Sequence, residues 1–378
     1  MPREPANQNP TDGFGPRMPR RDVLRAAGTG ALGLGLGGVT LTGAATPGGG
    51  SPSPHGTPVP TPGSLGTVQQ APHLPSGFTR TFTSQFVQTG GLRQHVVVGG
   101  DGPPLLLVHG WPETWYAWRL VMPTLARNFT VLAVDQRGIG LSDKPQDGYD
   151  TRTLAGDLVA LMDALGHEKF AVVGHDTGMP IGYALAADHP DRVDRLAVAE
   201  AFLPAVTPSP PMVSTAQVND RLWHIPFNRL TEVNEELVKG RENIYFGWQF
   251  ATKAERKLPD YAVSYYVRML ASQRNALRGS FGWYRALDTT IAQDEQRKKH
   301  LLSMPVLAIG GAKSLGENVG RTMKLVAHDV QPEVIPGSGH WVAEEAPEEL
   351  LAALTAFLDP YRTRGRGAQS PTATPTGS

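Results

Sequence analysis

Asp176 is the residue whose type and sequence context most clearly indicate a reactive side chain. It lies at the centre of a Gly-x-Asp-x-Gly pattern, residues 174–178, which follows an apolar run and precedes a segment rich in Ala and Leu. A buried strand that turns sharply into a helix has this pattern. The glycines are needed because the central residue adopts strained backbone angles, at which neighbouring Cβ atoms would collide. The pattern predicts a nucleophile held at a strand-to-helix turn.

A carboxylate at this turn implies different chemistry from a serine. Asp176 is ionised at neutral pH, so it can attack an alkyl carbon without a base and leave an ester on the protein. Esters of this kind come from epoxides or alkyl halides, and the residue type therefore argues against a lipase or an esterase. The alternative interpretation is a turn aspartate that caps the following helix.

An ester on Asp176 must be hydrolysed, and His340 is the candidate general base for the attacking water. It belongs to a Gly-x-Gly-His-Trp loop, residues 337–341, directly after the last predicted strand. The chain contains 11 histidines. The prediction therefore depends on the loop and its position rather than on the residue type.

A base histidine needs an acidic partner that fixes its tautomer and stabilises its charge. The expected position, in the loop after the penultimate strand, carries Ser314, which cannot do this electrostatically. Glu200 is the stronger candidate because it ends an apolar strand, where an unpaired carboxylate would be costly to bury. We predict Glu200 as the third member, with Glu317 as the fallback. A surface glutamate at a strand end is the alternative interpretation.

Two further sets of groups are needed around the nucleophile. Backbone N–H groups of Trp111 and Thr177 are placed to stabilise an oxyanion. His109 begins the loop of Trp111 and is assigned with them to oxyanion and substrate binding. Ring opening also requires an acid beside the departing oxygen, and His224 and Tyr284, in two aromatic segments, can donate to it. Aromatic packing is the alternative for these two side chains.

Apolar and β-rich runs predict eight strands, most of which alternate with helical patterns. Such alternation implies an α/β protein with a mostly parallel sheet and helices on both faces. The continuous apolar run at 104–108 is typical of a strand covered on both faces. The predicted strands are 80–88, 93–99, 104–108, 130–135, 169–173, 195–199, 304–310 and 332–336, and the predicted helices are 114–127, 151–166, 178–188 and 344–358.

The alternation stops after the strand at 195–199. The sequence that follows is helical and rich in aromatic residues, without a clear buried strand until 304. We predict a helical cap at 207–298, inserted into a core that comprises 78–206 and 299–361. A cap above the nucleophile would exclude water and carry side chains that face the substrate.

Both ends of the chain differ in composition from the centre. Residues 1–45 combine the twin arginine Arg20-Arg21 with a weakly apolar, glycine-rich stretch and a small-residue end, which resembles a twin-arginine export signal. A membrane anchor is the alternative, but so many glycines make a poor spanning helix. We predict export by this route, with secretion or association with the cell envelope. Residues 46–77 and 362–378 are predicted to be a disordered linker and tail.

Composition excludes several classes of function. The 378 residues have a formal net charge of zero, so no nucleic-acid partner is indicated. The chain has no cysteines, which removes thiol catalysis and thiolate metal sites. We expect a small-molecule partner, no metal, no cofactor and no stable membrane insertion after signal removal. A homodimer is compatible with the sequence.

Residues 78–361 resemble the α/β-hydrolase superfamily, in its epoxide hydrolase branch. Residues 109–113, 174–178 and 283–286 are similar to the oxyanion-loop, nucleophile and ring-opening tyrosine motifs of that branch. The resemblance implies an α/β-hydrolase fold with an inserted helical cap. Most members place a second tyrosine in the cap where this chain has His224.

A narrower resemblance is to the exported bacterial epoxide hydrolases of the Cif type. It implies Asp176 as the nucleophile, Glu200 with His340 as the charge-relay pair, and two oxygen-binding acids in the cap. The residues that carry it are Glu200, Trp223, His224, Gly240, Arg241, Glu242, Tyr284, Gly339, His340, Trp341, Glu344 and Glu345, together with the absence of an acid at Ser314.

These resemblances imply a hydrolase acting on ether bonds, which converts an epoxide into a vicinal diol through a hydroxyalkyl ester. The first rival is a haloalkane dehalogenase, which commonly has a tryptophan where this chain has Thr177. Similar fluoroacetate dehalogenases bind the substrate carboxylate with arginines, where this chain has Thr177 and Pro180. The second rival is an exported binding protein on a hydrolase scaffold, which would not require Asp176, Glu200 and His340 together.

Overall fold

The computed structural model describes residues 64–208, 211 and 213–367, with side chains up to residue 363. The predicted export signal at 1–45 lies outside the described residues. Within the described part, one eight-stranded sheet forms the centre of the protein. Its strands are β1 (Phe82–Thr89), β2 (Leu92–Gly99), β3 (Pro104–Val108), β4 (Thr130–Val134), β5 (Phe170–His175), β6 (Val193–Ala199), β7 (Val306–Gly311) and β8 (Val330–Ile335).

The spatial order of the strands is β1-β2-β4-β3-β5-β6-β7-β8. The pairs β1/β2 and β2/β4 are antiparallel, and the other neighbours are parallel. The predicted mostly parallel α/β sheet is therefore confirmed. Because the carboxyl ends of parallel strands meet at one edge, the residues that follow β3, β5, β6, β7 and β8 converge above the sheet.

Both faces of the central strands are covered by apolar side chains. Along β3, Leu105 and Leu107 join one hydrophobic cluster, while Leu106 and Val108 join the other. In the register of the sheet, Leu106 lies between Leu132 and Val172. This double burial explains why the strand reads as a continuous apolar run rather than as an alternating one.

Helices pack on both faces of the sheet, and a group of them follows β6. The helices from Ala216–Leu222 to Leu287–Arg297 all lie between β6 and β7, where a cap is predicted. The exact limits 207–298 stay a prediction. No helix of the described residues is long and apolar enough to cross a membrane. The helices are α1 (Phe78–Thr81), α2 (Met122–Leu125), α3 (Thr151–Ala164), α4 (Gly178–Asp188), α5 (Ala216–Leu222), α6 (His224–Asn228), α7 (Val233–Val238), α8 (Glu242–Lys253), α9 (Asp260–Ser272), α10 (Ala276–Arg285), α11 (Leu287–Arg297), α12 (Glu317–Met323), α13 (Val342–Glu345) and α14 (Pro347–Gly367).

The helix predicted at 114–127 is wrong as a single element. The structure has a short 3-10 helix at Trp115–Trp118, followed by the separate helix α2. The backbone N–H of Trp115 donates to Asp135 Oδ1 at 2.9 Å, which fixes the start of the turn. Every residue of Trp115–Trp118 is buried, so side chains pack on all sides of the segment. It therefore lacks the single apolar face of an amphipathic surface helix.

The disordered linker predicted at 46–77 is wrong for residues 64–77. Val68 is buried, and the Trp115 indole N–H donates to the carbonyl oxygen of Gly66 at 2.7 Å. The high Pro, Gly and Ser content of the segment concealed a few apolar residues that reach the core. Those that pack against it in addition to Val68 are Leu65, Ala71 and Leu74.

The disordered tail predicted at 362–378 is wrong for its first six residues. Helix α14 continues to Gly367. An ion pair between Arg362 and Asp359, one turn apart at 2.5 Å, supports this extension. Residues 368–378 lie outside the described part of the chain.

A buried ion pair connects the loop after β3 to the segment that follows β8. The Arg119 guanidinium binds both oxygens of Glu344, at 2.5 and 2.8 Å. The hydroxyl of Tyr266, from the cap helix α9, donates to Glu344 at 2.7 Å. The guanidinium also lies 4.0 Å from the centroid of the Tyr116 ring. These contacts join core and cap next to the edge where the strands end.

We expect Arg119→Met to lower the free energy of unfolding by about 3–5 kcal/mol, because it leaves Glu344 charged and buried without its partner. The matched control is Arg321→Met, which removes the exposed pair with Glu317 and is expected to cost less than about 1 kcal/mol. Urea unfolding of both variants tests this. Equal losses in the two variants would contradict the assignment.

Candidate active site

Asp176 occupies the turn between β5 and α4 in a strained conformation. Its φ is +49°, in the left-handed region that favours glycine. The flanking glycines are required by close backbone approach: a Cβ on Gly174 would lie 2.2 Å from the oxygen of Gly178, and one on Gly178 would lie 2.3 Å from that of Val108. The Asp176 side chain retains 14% exposure, whereas its neighbours are buried. The turn therefore presents one carboxylate to the space above the sheet.

The two oxygens of Asp176 have different surroundings. Oδ1 accepts the backbone N–H groups of Trp111 at 3.1 Å and Thr177 at 2.6 Å. Oδ2 lies 3.0 Å from His340 Nε2. Burial alone would raise the pKa of Asp176, but the contact with His340 and the charge of Lys253 hold it well below its usual range. Asp176 is thus ionised, with one oxygen in an oxyanion-binding position and the other facing a histidine.

His340 and Glu200 form a second pair behind Asp176. His340 Nδ1 and Glu200 Oε2 are 3.2 Å apart, and Glu200 is buried. Glu200 follows β6 directly and has a φ of +61°, so it is strained in the same sense as Asp176. The structure brings Asp176, His340 and Glu200 into one line of contacts, in the arrangement predicted from the sequence.

The loop after β7 supports Glu200 instead of supplying an acid. Glu200 Oε1 accepts the backbone N–H of Gly311 at 2.7 Å and of Leu315 at 3.3 Å. Ser314 lies within this loop, where an acid was expected. The fallback Glu317 is exposed and pairs with Arg321 at 2.6 Å, away from His340. The loop therefore fixes the position of the Glu200 carboxylate through two backbone N–H groups.

Glu345 holds the loop that carries His340, a role that the sequence reasoning missed. Its carboxylate accepts the backbone N–H groups of Gly339 at 3.0 Å and Trp341 at 2.9 Å, on either side of His340. It also accepts two N–H groups from the cap, those of Glu255 and Arg256. A buried carboxylate in an apolar segment was the signal that could have revealed it.

His224 and Tyr284 reach the site from the cap and enclose Trp111. The His224 ring stacks on the Trp111 ring at 5.4 Å between centroids, and Tyr284 meets it edge-on at 5.4 Å. Burial and the charge of Lys253 lower the pKa of His224 well below its usual value. Burial and the charge of Asp176 raise the pKa of Tyr284 well above its usual value. His224 is therefore neutral and Tyr284 keeps its proton.

Lys253, at the end of α8, was not singled out from the sequence. Its Nζ lies 3.3 Å from His224 Nε2. Burial lowers its pKa to about 8, while the charge of Asp176 opposes this shift. Nothing in the sequence distinguishes this lysine from the exposed lysines between the cap helices, such as Lys239 and Lys257.

His109 lies beside the site, with both ring nitrogens directed at backbone groups. Nδ1 contacts the carbonyl oxygen of Gly110 at 2.8 Å, and Nε2 accepts the backbone N–H of Gln136 at 3.3 Å. These contacts occupy the ring, so the geometry fits a role in fixing the oxyanion loop rather than direct substrate contact.

His175, the residue before Asp176, carries a second charge close to the Asp176 carboxylate. Its Nδ1 lies 3.2 Å from Glu113 Oε2, and its Nε2 donates to the carbonyl oxygen of His340 at 2.7 Å. Both ring nitrogens thus face acceptors, as an imidazolium requires. Burial opposes the charge, but Glu113 raises the pKa of His175 to about 9. The imidazolium also helps to keep Asp176 ionised.

We expect the stability advantage of the native protein over Glu113→Gln to depend on pH. The pKa of His175 is about 9 in the folded protein and about 6.5 when unfolded. The contribution of this pair is therefore complete below pH 6.5 and is lost as the pH rises through 9. In urea unfolding, the difference in free energy of unfolding between the native protein and Glu113→Gln should be larger at pH 6 than at pH 9.5. The exposed control Glu317→Gln should show no such trend, and an equal gap at both pH values would refute the charge assigned to His175.

This chain is similar to known proteins over most of its length. A family model for the α/β hydrolase fold matches residues 103–347. A soluble epoxide hydrolase from Corynebacterium sp. (strain C12) is 32% identical over 278 residues, which cover 72% of this chain and 96% of that protein. A fluoroacetate dehalogenase from Burkholderia sp. is 32% identical over 302 residues, which cover 75% of this chain and 95% of that protein.

Solved structures show the same relationship. Cfl2 from Burkholderia cenocepacia matches with a TM-score of 0.70 and 35% identity, covering 73% of this chain and 96% of that one. The epoxide hydrolase CorEH without ligand matches with a TM-score of 0.69 and 32% identity, covering 74% and 99%. Fold, family model and relatives agree, and the chain belongs to the α/β-hydrolase superfamily, in its epoxide hydrolase branch.

Proposed function

We propose that this protein is an epoxide hydrolase that forms a covalent ester on Asp176. The observation that carries the proposal is the unequal environment of the two Asp176 oxygens. Oδ1 is held by two backbone N–H groups, and Oδ2 faces the His340–Glu200 pair. The relatives named as epoxide hydrolases support the same reaction class. Export by the twin-arginine route remains our proposal from residues 1–45.

In the first step, Asp176 Oδ2 attacks a carbon of the epoxide ring. The bond between that carbon and the ring oxygen breaks, and the oxygen develops negative charge on the side of the cap. Tyr284 retains its proton there because of burial, and it donates to this oxygen. His224 lines the other side of the same space, since its ring is 5.9 Å from that of Tyr284.

In the second step, water hydrolyses the ester. His340 removes a proton from the water, and Glu200 stabilises the imidazolium that forms, as the 3.2 Å contact allows. The water oxygen adds to the Asp176 carboxyl carbon, and the charge develops on Oδ1. The N–H groups of Trp111 and Thr177 stabilise this charge, and removing one such donor would cost roughly 3 kcal/mol. Collapse of the intermediate releases a vicinal diol.

Dehalogenation is the rival reaction, because a fluoroacetate dehalogenase is similar over most of the chain. The same nucleophile and base would serve it. The residues after the nucleophile favour the epoxide: Thr177 and Pro180 are buried and carry no charge to bind a carboxylate. The two reactions leave different groups on Asp176, so one experiment distinguishes them.

We expect His340→Gln to accumulate the ester, since this change removes the base for hydrolysis but not the nucleophile. The full-length variant is incubated with styrene oxide, 1,2-epoxyoctane, 1-bromobutane and fluoroacetate, and its intact mass is measured. A gain equal to the whole epoxide, absent in His340→Gln combined with Asp176→Ala, is the predicted result. A gain equal to the halide minus hydrogen halide would make the protein a dehalogenase. No adduct with any compound would contradict catalysis through Asp176 and favour a binding protein.

We expect Tyr284→Phe, in the His340→Gln background, to slow adduct formation by roughly 10²–10⁴-fold, because the departing oxygen loses a proton donor. The rate is followed by mass spectrometry with the epoxide that reacts fastest. Tyr361→Phe is the control: its hydroxyl donates to the oxygen of Pro104 and belongs to the far end of the core. Equal rates for Tyr284→Phe and its parent would exclude Tyr284 from ring opening.

A further inference from the structure

Lys253 is a charged side chain in the site to which no step has yet been assigned. It ends α8 in the cap and is only partly buried by its neighbours. In the part of the chain that the structure describes, its Nζ has a hydrogen-bond contact with His224 and takes part in no ion pair. An ammonium that makes no direct ion pair with a carboxylate keeps hydrogens with which it can bind a negative charge that develops beside it.

The fold fixes the position of Lys253 next to the base. Its carbonyl oxygen accepts the backbone N–H of His340 at 3.0 Å. The approach is so close that a Cβ on Gly339 would lie 2.6 Å from the same oxygen. The ammonium lies 5.5 Å from the Trp111 ring centroid and 6.0 Å from that of Trp341. Two aromatic faces and one backbone contact thus hold the lysine at the active site.

The contact with His224 decides which group carries the proton. An ammonium has three hydrogens and no acceptor, so His224 Nε2 must accept from Lys253. The low pKa of His224 keeps the ring neutral, and its own hydrogen is then on Nδ1. Nε2 has no proton for a substrate in this state. Two hydrogens of the ammonium remain available beside it.

We propose that Lys253 is the proton donor on the His224 side of the site, and that it protonates the oxygen released when the epoxide ring opens. This inference rests on the proposed epoxide hydrolase function and names a further catalytic residue for it. His224 then acts as a positioning residue, which holds the ammonium by accepting one of its hydrogens. Tyr284 donates to the same oxygen from the opposite side.

The step is balanced. The Asp176 Oδ2–carbon bond forms, the carbon–oxygen bond of the ring breaks, and its electron pair goes to the oxygen, which takes a proton from Nζ. Water then adds to the ester, and His340 accepts a proton from it and returns it to the departing diol oxygen. Hydrolysis leaves one proton on the Asp176 carboxyl group, which passes to the neutral amine of Lys253. The sum is epoxide plus water to diol.

Two titratable groups interact with the ammonium of Lys253: Asp176 from the β5–α4 turn, through its charge, and His224 from α6, through the contact at 3.3 Å. Burial and these neighbours leave the lysine with a pKa of about 8. The ammonium is the active form, so ring opening should slow as the pH rises through about 8. Tyr284 does not produce this decline, because its pKa lies well above 10.

The test measures ester formation in the His340→Gln background, with the panel epoxide that reacts fastest. The variants are Lys253→Met, Lys253→Arg and the matched control Lys257→Met, an exposed lysine that pairs with Asp260. Adduct formation is followed against epoxide concentration between pH 6 and pH 10. This separates the limiting rate from the concentration dependence, and thermal unfolding verifies that each variant is folded.

We expect Lys253→Met to lower the limiting rate at pH 7 by roughly 10²-fold and to abolish the decline near pH 8. Lys253→Arg should retain most of the rate and also lose the decline, because a guanidinium stays protonated. Lys257→Met should behave as its parent. If Lys253→Met fails to fold, the inference is tested by Lys253→Arg alone, through the presence or absence of the decline in rate near pH 8.

Several outcomes would overturn the inference. They are an unchanged limiting rate in Lys253→Met, an effect on the concentration dependence alone, or a decline near pH 8 that persists in either variant. If the parent forms an adduct and any of these results is obtained, the epoxide hydrolase function stands and only the role of Lys253 as proton donor is refuted. No adduct in the parent would overturn both.

Discussion

The strained turn at Asp176 is the constraint on which the rest of the site depends. With φ at +49°, the residue projects its carboxylate out of an otherwise buried strand-to-helix junction. The same geometry aims the N–H of Thr177 back at Oδ1, and Gly110 allows the oxyanion loop to approach, since a Cβ there would lie 2.4 Å from Asp176 Cβ. The parallel strands on both sides hold the backbone in this conformation. The strain is therefore retained at Asp176, the residue that is proposed to react.

Carboxylates of one chemical type take different roles around this turn because their surroundings differ. Glu200 accepts two backbone N–H groups and faces His340, so it is held in place as an orienting partner. Glu345 is saturated by backbone N–H groups and fixes the loop of the base. Of the three carboxylates, only that of Asp176 stays partly exposed, at 14% of its side chain, whereas Glu200 and Glu345 are buried. The environment, rather than the residue type, thus separates the proposed nucleophile from the two carboxylates that support the site.

The sequence predicted the sheet and the placement of Asp176, Glu200 and His340, because apolar runs mark buried strands and these residues directly follow them. It did not predict the roles of Lys253 and Glu345, since His224 reaches Lys253, and Glu255 and Arg256 reach Glu345, only when the cap packs on the core. Composition misled at 64–77, because the Pro- and Gly-rich sequence before it concealed a few apolar side chains that pack against the core. Local sequence patterns predict strands and turns. A contact between residues 90 positions apart, such as that of Glu255 with Glu345, forms only in the folded chain and has no local pattern.

The central claim is that the first oxygen delivered to the substrate comes from Asp176 and not from water. A single turnover of the native enzyme, in excess over the epoxide and in water enriched in ¹⁸O, tests this directly. The account predicts a first diol without the label and, after digestion, ¹⁸O in the peptide that contains Asp176. A labelled diol in the first turnover, with an unlabelled Asp176 peptide, would show that water attacks the epoxide itself and would contradict the covalent mechanism.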